Sequence, residues 1–395
     1  MQTHALYDLS PLLRVMLMGL ALALGPLAWV WLRHSGASAS KRLQALTLLT
    51  LFLTFDLILF GAFTRLTDSG LGCPDWPGCY GHSTPVGAAT PIAAAQSAMP
   101  TGPVTQGKAW VEMVHRYLAI SVGVLILVLT VATWFQHRSK DEREAGELPV
   151  SPWWPVLTLV WVCIQGAFGA LTVTMKLFPA IVTLHLLGGF ALLAMLSVQA
   201  VRYGQAGQVL PRDSGLPPAN PMLQRWVWTT LAALVVQCAL GGWVSTNYAV
   251  LACTGFPMCQ NSWWPDMNFA QGFQIWRELG YTSGGELIDF PALTAIHYVH
   301  RLMAGGVLTL VVVMAWRLRT VSGLRTPARW LAGLAALQLI TGLSNVVLGW
   351  PLVAAVLHTG GSAAMVGVMT WIVVASQAKP ISRTSVPGTC PNLTA

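Results

Sequence analysis

Nine runs of apolar residues, each long enough to cross a lipid bilayer, constrain this chain more than any other feature of it. A spanning helix needs about 20 predominantly apolar residues. Such runs lie at roughly 15–32, 43–66, 112–135, 153–175, 179–201, 224–248, 291–316, 328–348 and 352–375. Lipid offers the backbone no hydrogen-bond partner, so each run must satisfy its own amides, as a helix does. Only 9% of the 395 residues are charged, against about 25% in a soluble domain. Most of the surface therefore faces lipid. The net charge of +8 reads as loop orientation rather than nucleic-acid binding, because basic residues gather in cytoplasmic loops.

The loops alternate in charge. One set carries Arg33, Lys41 and Arg42; Arg138, Lys140 and Arg143; Arg202, Arg212 and Arg225; Arg317, Arg319, Arg325 and Arg329; and Lys379 and Arg383. The other set has only Arg14, Lys108, Lys176 and Arg277. The positive-inside rule makes the first set cytoplasmic. The N-terminus is then outside and the C-terminus inside. "GASAS" at 36–40 resembles a signal-peptidase site. The run before it, at about 18 residues, exceeds the 7–15 of a signal core, and cleavage would strand Lys41 and Arg42 on the wrong side. An uncleaved helix is the favoured reading, with cleavage the alternative.

Two loops on the outer side carry the same cysteine pattern, "GLGCPDWPGC" and "ACTGFPMC". Disulfides persist on that side of a membrane, and a six-residue turn containing Pro and Gly brings two Cα atoms within bridging range. Cys73/Cys79 and Cys253/Cys259 are then structural staples or a redox-active pair; zinc would require closer pairs and further ligands. Cys163 and Cys238 fall within helices and read as small buried hydrophobes. Cys390, in the polar tail, has no evident partner.

The cysteines belong to a longer repeat. Gly61 and Gly241 each precede the first Cys of their loop by twelve residues, "EMVHRYLA" matches "HYVHRLMA", and Gln165 and Gln338 each precede a histidine by twenty. The chain thus reads as a duplicated four-helix unit behind one extra helix. An even number of spans makes the repeats parallel, related by an axis along the membrane normal. The expected fold is an all-α membrane protein of two tandem four-helix bundles. Residues 1–40 form the extra helix, 41–204 the first bundle, 205–222 a cytoplasmic linker, 223–378 the second bundle and 379–395 a cytoplasmic tail. Gly166, Gly169, Gly188, Gly189, Gly342, Gly360 and Gly361 are placed to let helices approach closely.

Four of the nine histidines, His115, His185, His300 and His358, lie inside apolar runs at duplicated positions; His4, His34, His82 and His137 fall in loops or tails. Read from the ends of the runs, His115 is about four residues in, His185 and His358 about seven and His300 about ten. At about 1.5 Å per residue, each pair sits level across its bundle to within about 5 Å. Two facing imidazoles suit axial ligation of a haem iron, one per bundle. Arg116 and Arg301 follow two of these histidines, each placed to pair with a haem propionate or to reach lipid headgroups. One helical turn before the ligand the units differ: Glu112 in the first, His297 in the second. A carboxylate at a membrane cofactor site is a functional candidate. His297 reads as a neighbour packed against the second haem.

The stretches "TRLTDSGLGCPDWPGC" and "EMVHR", His185, and the repeated "HR" and His358 resemble the haem A synthase family over roughly residues 43–375. The resemblance implies a membrane oxidoreductase that oxidises a haem O methyl to the formyl of haem A for terminal oxidases. It implies haem O and haem A at His115 and His185 with Glu112 catalytic, and haem b at His300 and His358. It also implies disulfides in both outer loops, the first of them open to a functional role. The setting implied is a bacterial-type inner membrane, with membrane lipid as surroundings and no nucleic acid. Partners implied are haem O synthase, an oxidase assembly factor and an outer-face thiol or electron donor, with a homo-oligomer left open. The chemistry is either oxygenation after a ligand leaves the iron, or electron removal followed by attack of water. A dihaem cytochrome b that carries electrons, and a haem transfer protein, are the alternatives. The extra N-terminal helix departs from the simpler eight-helix pattern, and the Ala- and Pro-rich segment 82–107 has no assigned chemistry.

Overall fold

The computed structural model describes residues 10–138, 150–206 and 221–377. Its helices are α1 (Ser10–Arg33), α2 (Ala39–Leu66), α3 (Ala89–Ala98), α4 (Gln106–Arg138), α5 (Trp153–Thr174) and α6 (Pro179–Ala206). They continue with α7 (Pro221–Thr246), α8 (Phe269–Gly272), α9 (Phe290–Leu318), α10 (Arg325–Val347) and α11 (Leu352–Ser376). The described residues form no strands, only isolated bridges. Nine of the helices are long and apolar enough to cross a membrane, and they coincide with the nine apolar runs. His4, Lys140, Arg143, Arg212, Lys379, Arg383, Cys390, most of the 205–222 linker and the whole 379–395 tail lie outside the described residues.

Helix ends depart from the apolar runs where polar turns extend them. α4 starts at Gln106, before the run at 112, because the Thr105 hydroxyl accepts the Lys108 N–H at 3.2 Å and caps the helix. His115 is therefore the tenth residue of its helix (106 to 115), close to His300, the eleventh of α9 (290 to 300). His185 and His358 are both seventh, counting from 179 and 352. His137 lies in the last turn of α4 rather than in a loop. Within the 82–107 segment, α3 packs on α4 and buries Ile92 fully. In "GASAS", the Ser38 hydroxyl accepts the Lys41 N–H and caps α2.

Helices α2, α4, α5 and α6 each pack on the next, and α6 returns to α2; α7, α9, α10 and α11 close in the same way. The pairing fits two four-helix bundles. They meet through α2 and α6 against α11, and α6 against α7, while α1 lies outside along α4. At one end of this seam repeat counterparts touch each other, which fits a two-fold relation. Arg65 donates to the carbonyl of Ser245, its counterpart 180 residues on, and the Tyr248 hydroxyl donates to Asp68, its own counterpart, at 2.7 Å.

Packing between membrane helices depends on small residues and hydrogen bonds, because lipid is as apolar as leucine. An added methyl at Gly188 would sit 1.8 Å from Gln165 Nε2, and one at Gly361 would sit 2.2 Å from Gln338 Nε2. The glutamine and the glycine are thus a matched pair in both units. Gly360 takes Leu59 at the seam, 2.4 Å from an added methyl. Gly166 faces open space instead, so it does not serve close approach. Cys238 is buried, whereas Cys163 is exposed. A lipid-facing surface tolerates a small apolar side chain, so the expected burial does not follow at Cys163.

Candidate functional site

The two cysteine loops are built alike. Cys73–Cys79 and Cys253–Cys259 are disulfides with Cα separations of 4.9 and 4.8 Å. Cys79 and His82 exchange backbone hydrogen bonds at 2.7 and 2.9 Å, and Cys259 and Ser262 do so at 3.0 and 2.9 Å. In the first loop, the Asp75 carboxylate accepts the amides of Tyr80 and Gly81 at 2.6 and 2.7 Å. Its counterpart in the second is Gly255, at φ +80°, where a side chain would be strained.

Each loop is fastened to the helix that carries the first histidine of its unit. The Cys73 amide donates to Glu112 Oε2 at 2.8 Å, and the Cys253 amide donates to His297 Nδ1 at 3.3 Å. Glu112 and His297 thus hold equivalent posts, and His297 is a loop anchor rather than only a packed neighbour. The Tyr117 hydroxyl donates to the Ser83 carbonyl at 2.5 Å and that of Tyr298 to the Trp263 carbonyl at 2.7 Å.

Arg116 is buried and pairs with Glu112 Oε1. It also donates to the carbonyls of Asp75, Pro77 and Gly78 at 3.0, 3.2 and 2.6 Å. These are partners other than the propionate or headgroup that the sequence suggests. All three carbonyls lie within the disulfide loop and converge on one guanidinium nitrogen because the loop folds back over α4. Arg301 is less committed. It donates to the Pro257 carbonyl at 3.2 Å, lies over the Phe256 ring at 5.6 Å, and keeps Nη1 buried without a partner.

The four intramembrane histidines occupy equivalent settings. His115 and His185 lie within electrostatic reach of each other, as do His300 and His358. Each ring edge rests against a glycine of the preceding helix. A methyl added at Gly61, Gly169, Gly241 or Gly342 would sit 3.0, 3.4, 3.0 or 3.3 Å from the Cε1 of His115, His185, His300 or His358 respectively. The Phe60 ring stacks on His115 with centroids 6.2 Å apart. The Nδ1 atoms differ between units. Those of His115 and His185 are buried with no hydrogen bond. His300 Nδ1 lies 3.0 Å from Gln237 Nε2, and His358 Nδ1 lies 2.9 Å from Thr341 Oγ1. Among the described residues no three His, Cys, Asp or Glu side chains gather as a metal site.

The sequence reading passed over Gln237, Thr341, Asp75 and Asp56. The first two were available from the repeat itself, since Gln237 sits one turn before Gly241 and Thr341 immediately before Gly342. Asp56 is a half-buried carboxylate inside α2 and belongs to neither ion pair among the described residues. An ionisable residue inside an apolar run is the signal that marks it.

Thiol labelling of spheroplasts checks the bridges. Cys73, Cys79, Cys253 and Cys259 are expected to stay unmodified until a reductant is added, and prompt labelling of all four without reductant would exclude both disulfides. Loss of the second bridge is expected to lower stability by about 2–4 kcal/mol. Wild-type activity after loss of the first would make it a staple as well.

A family model described as cytochrome oxidase assembly protein, COX15-CtaA, matches residues 44–370. A heme A synthase of Shewanella oneidensis is 37% identical over 315 residues, covering 80% of this chain and 91% of that protein. Heme A synthases of Symbiobacterium thermophilum and Rhizorhabdus wittichii are 26% and 24% identical, over 84% and 85% of this chain and 94% and 95% of those proteins. With one family model spanning both histidine pairs and both cysteine loops, the chain belongs to the COX15-CtaA family of cytochrome oxidase assembly proteins.

Proposed function

We propose that this chain is a haem A synthase, a membrane oxidoreductase that converts a ring methyl of haem O to the formyl group of haem A. The observation that carries the reading is the two pairs of intramembrane histidines, each pair within electrostatic reach and each imidazole set against a glycine. These residues fit an iron porphyrin. The pairs would offer two imidazole nitrogens per unit to its iron, the glycines keep side chains away from the imidazole edges, and Arg301 has a buried Nη1 free for a carboxylate. In this reading His115 and His185 hold haem O and its product in the N-terminal unit, residues 41–204. His300 and His358 hold a haem b in the C-terminal unit, residues 223–378. When bound, that haem b supplies a one-electron redox centre.

The protein's own contribution to the oxidation is to position the substrate and manage protons. Glu112 is one turn from His115, yet its two oxygens engage Arg116 and the Cys73 amide. It therefore links the substrate unit to the first disulfide loop. Glu112 is the single carboxylate of α4, and uptake by it of a proton released in the oxidation would loosen the hold on Arg116. Asymmetry between Glu112 and His297 supports different duties for the two units, because two equivalent haems need no such difference.

The charge alternation of the loops supports an inner-membrane protein with both cysteine loops outside and the C-terminus in the cytoplasm. Haem O synthase as supplier, an oxidase assembly factor as receiver and an outer-face thiol or electron donor are the partners this role requires. Acid extraction and chromatography of the haems of the purified protein tests the reading. Haem b together with haem O or haem A is expected. Haem b alone would instead favour a dihaem electron carrier.

A further inference from the structure

We infer that the two units grip their haems differently: Thr341 fixes the ligating tautomer of His358 and Gln237 braces the ring of His300, while Phe168 and Leu57, at the equivalent positions, leave the N-terminal histidines free to release. Thr341 follows Gln338 by three residues as Phe168 follows Gln165, and Gln237 precedes Gly241 by four as Leu57 precedes Gly61. The inference deepens the proposed function and rests on its assignment of substrate to the first unit and resident haem to the second.

An imidazole binds iron through the Nε2 lone pair only when its proton sits on Nδ1, and an acceptor at Nδ1 holds that tautomer, fixes the ring and raises its basicity. Thr341 meets the requirement. Its hydroxyl donates to the Leu337 carbonyl at 2.7 Å, so a lone pair faces His358 Nδ1 at 2.9 Å and accepts its proton. Gln338 adds a second tie, donating to the His358 carbonyl at 2.9 Å. Gln237 donates through Nε2 to the His300 carbonyl at 3.1 Å and stands 3.0 Å from its Nδ1. Its Oε1 is buried without a partner. Turning that amide brings Oε1 onto the Nδ1 proton, so Gln237 serves either tautomer of His300 whereas Thr341 selects one for His358.

The first unit has no such device. Nδ1 of His115 and of His185 is buried and unpartnered, and neither Leu57 nor Phe168 has a polar side-chain atom to offer. Phe60 stacks on His115 and guides the ring plane without fixing its tautomer. A site that admits haem O and releases haem A must let its ligands go at each turnover. A resident redox haem must not. The same four-helix unit is thereby tuned for exchange or retention by two residues that touch the histidines from behind.

Haem transfer from the purified protein to excess apomyoglobin, with potentiometric titration of the haem that remains, tests this. Two phases of transfer are expected. Thr341→Val should speed the slow phase about 10–100-fold and move the midpoint potential of that haem positive, since a less basic imidazole stabilises the ferric state less. Thr341→Ser, which keeps the hydroxyl, should restore both values, and Phe168→Thr should slow the fast phase. Gln237→Leu, a copy of the first unit, carries the same test at His300 if the Thr341 variant fails to assemble. A slow phase and potential unchanged in Thr341→Val or Gln237→Leu protein of normal haem content would overturn this inference alone. A slow phase lost in His115→Ala but kept in His300→Ala would overturn the haem assignment and this inference with it.

Discussion

His300→Ala and His358→Ala are each expected to remove the haem b absorbance of the purified protein, whereas His115→Ala and His185→Ala keep most of it and produce no haem A. In the proposed reading each histidine would supply one of two imidazole ligands in its unit, and among the described residues no group of three His, Cys, Asp or Glu side chains gathers to replace it. Alanine at either position therefore leaves the iron with a single protein ligand. The units lie side by side but carry their histidines on separate helices, α4 and α6 against α9 and α11. α6 and α11 pack on each other, yet each alanine removes an imidazole from its own unit only. Absorbance spectra normalised to protein, with haem chromatography of the membranes, measure both effects. Equal loss of haem b from all four variants would contradict separate duties for the two pairs.

The second large effect is expected at Glu112. Its carboxylate neutralises a buried Arg116 and accepts the Cys73 amide, so Glu112→Ala leaves a buried guanidinium with carbonyl partners but no counter-charge. Loss of one member of such a pair costs about 3–5 kcal/mol, and folded yield and haem content should fall together. Glu112→Gln keeps the shape and an oxygen for the Cys73 amide, but it cannot take up a proton at neutral pH. It should retain haem and stall the oxidation, with hydroxymethyl haem accumulating in place of haem A. Haem-type chromatography of membranes expressing each variant separates the two roles. Normal haem A in Glu112→Gln would remove Glu112 from the chemistry and leave it as an anchor of the disulfide loop.

Particular residues show why some of this was legible without coordinates. The nine spans follow from solvent: a backbone in hydrocarbon must bond to itself, so each apolar run is a helix whatever surrounds it. The His115/His300 and His185/His358 correspondence follows from the duplication, since gene-encoded spacing survives as equal depth along paired helices. Helix starts were less legible, as α4 shows. Its first turn is too polar to count as apolar yet is helical because Thr105 caps it. Arg116 was legible as a charge near the end of a span but not as a clamp on the loop, because its loop acceptors are backbone carbonyls that any sequence could supply.

By itself, then, the sequence determined the helical class, the two-fold repeat, the four histidines and the cysteine pairs, all of which depend on local composition and spacing. Only the tertiary structure decided what those residues touch. It bent the first cysteine loop onto Glu112 and Arg116, gave His297 the Cys253 amide, and brought Gln237 and Thr341 to one histidine pair while leaving the other bare. The physical reason is that a hydrogen bond is decided by distance and direction between atoms on different helices. Those are set by how glycines such as Gly188 and Gly361 let the helices close, and not by the order of residues along any one of them.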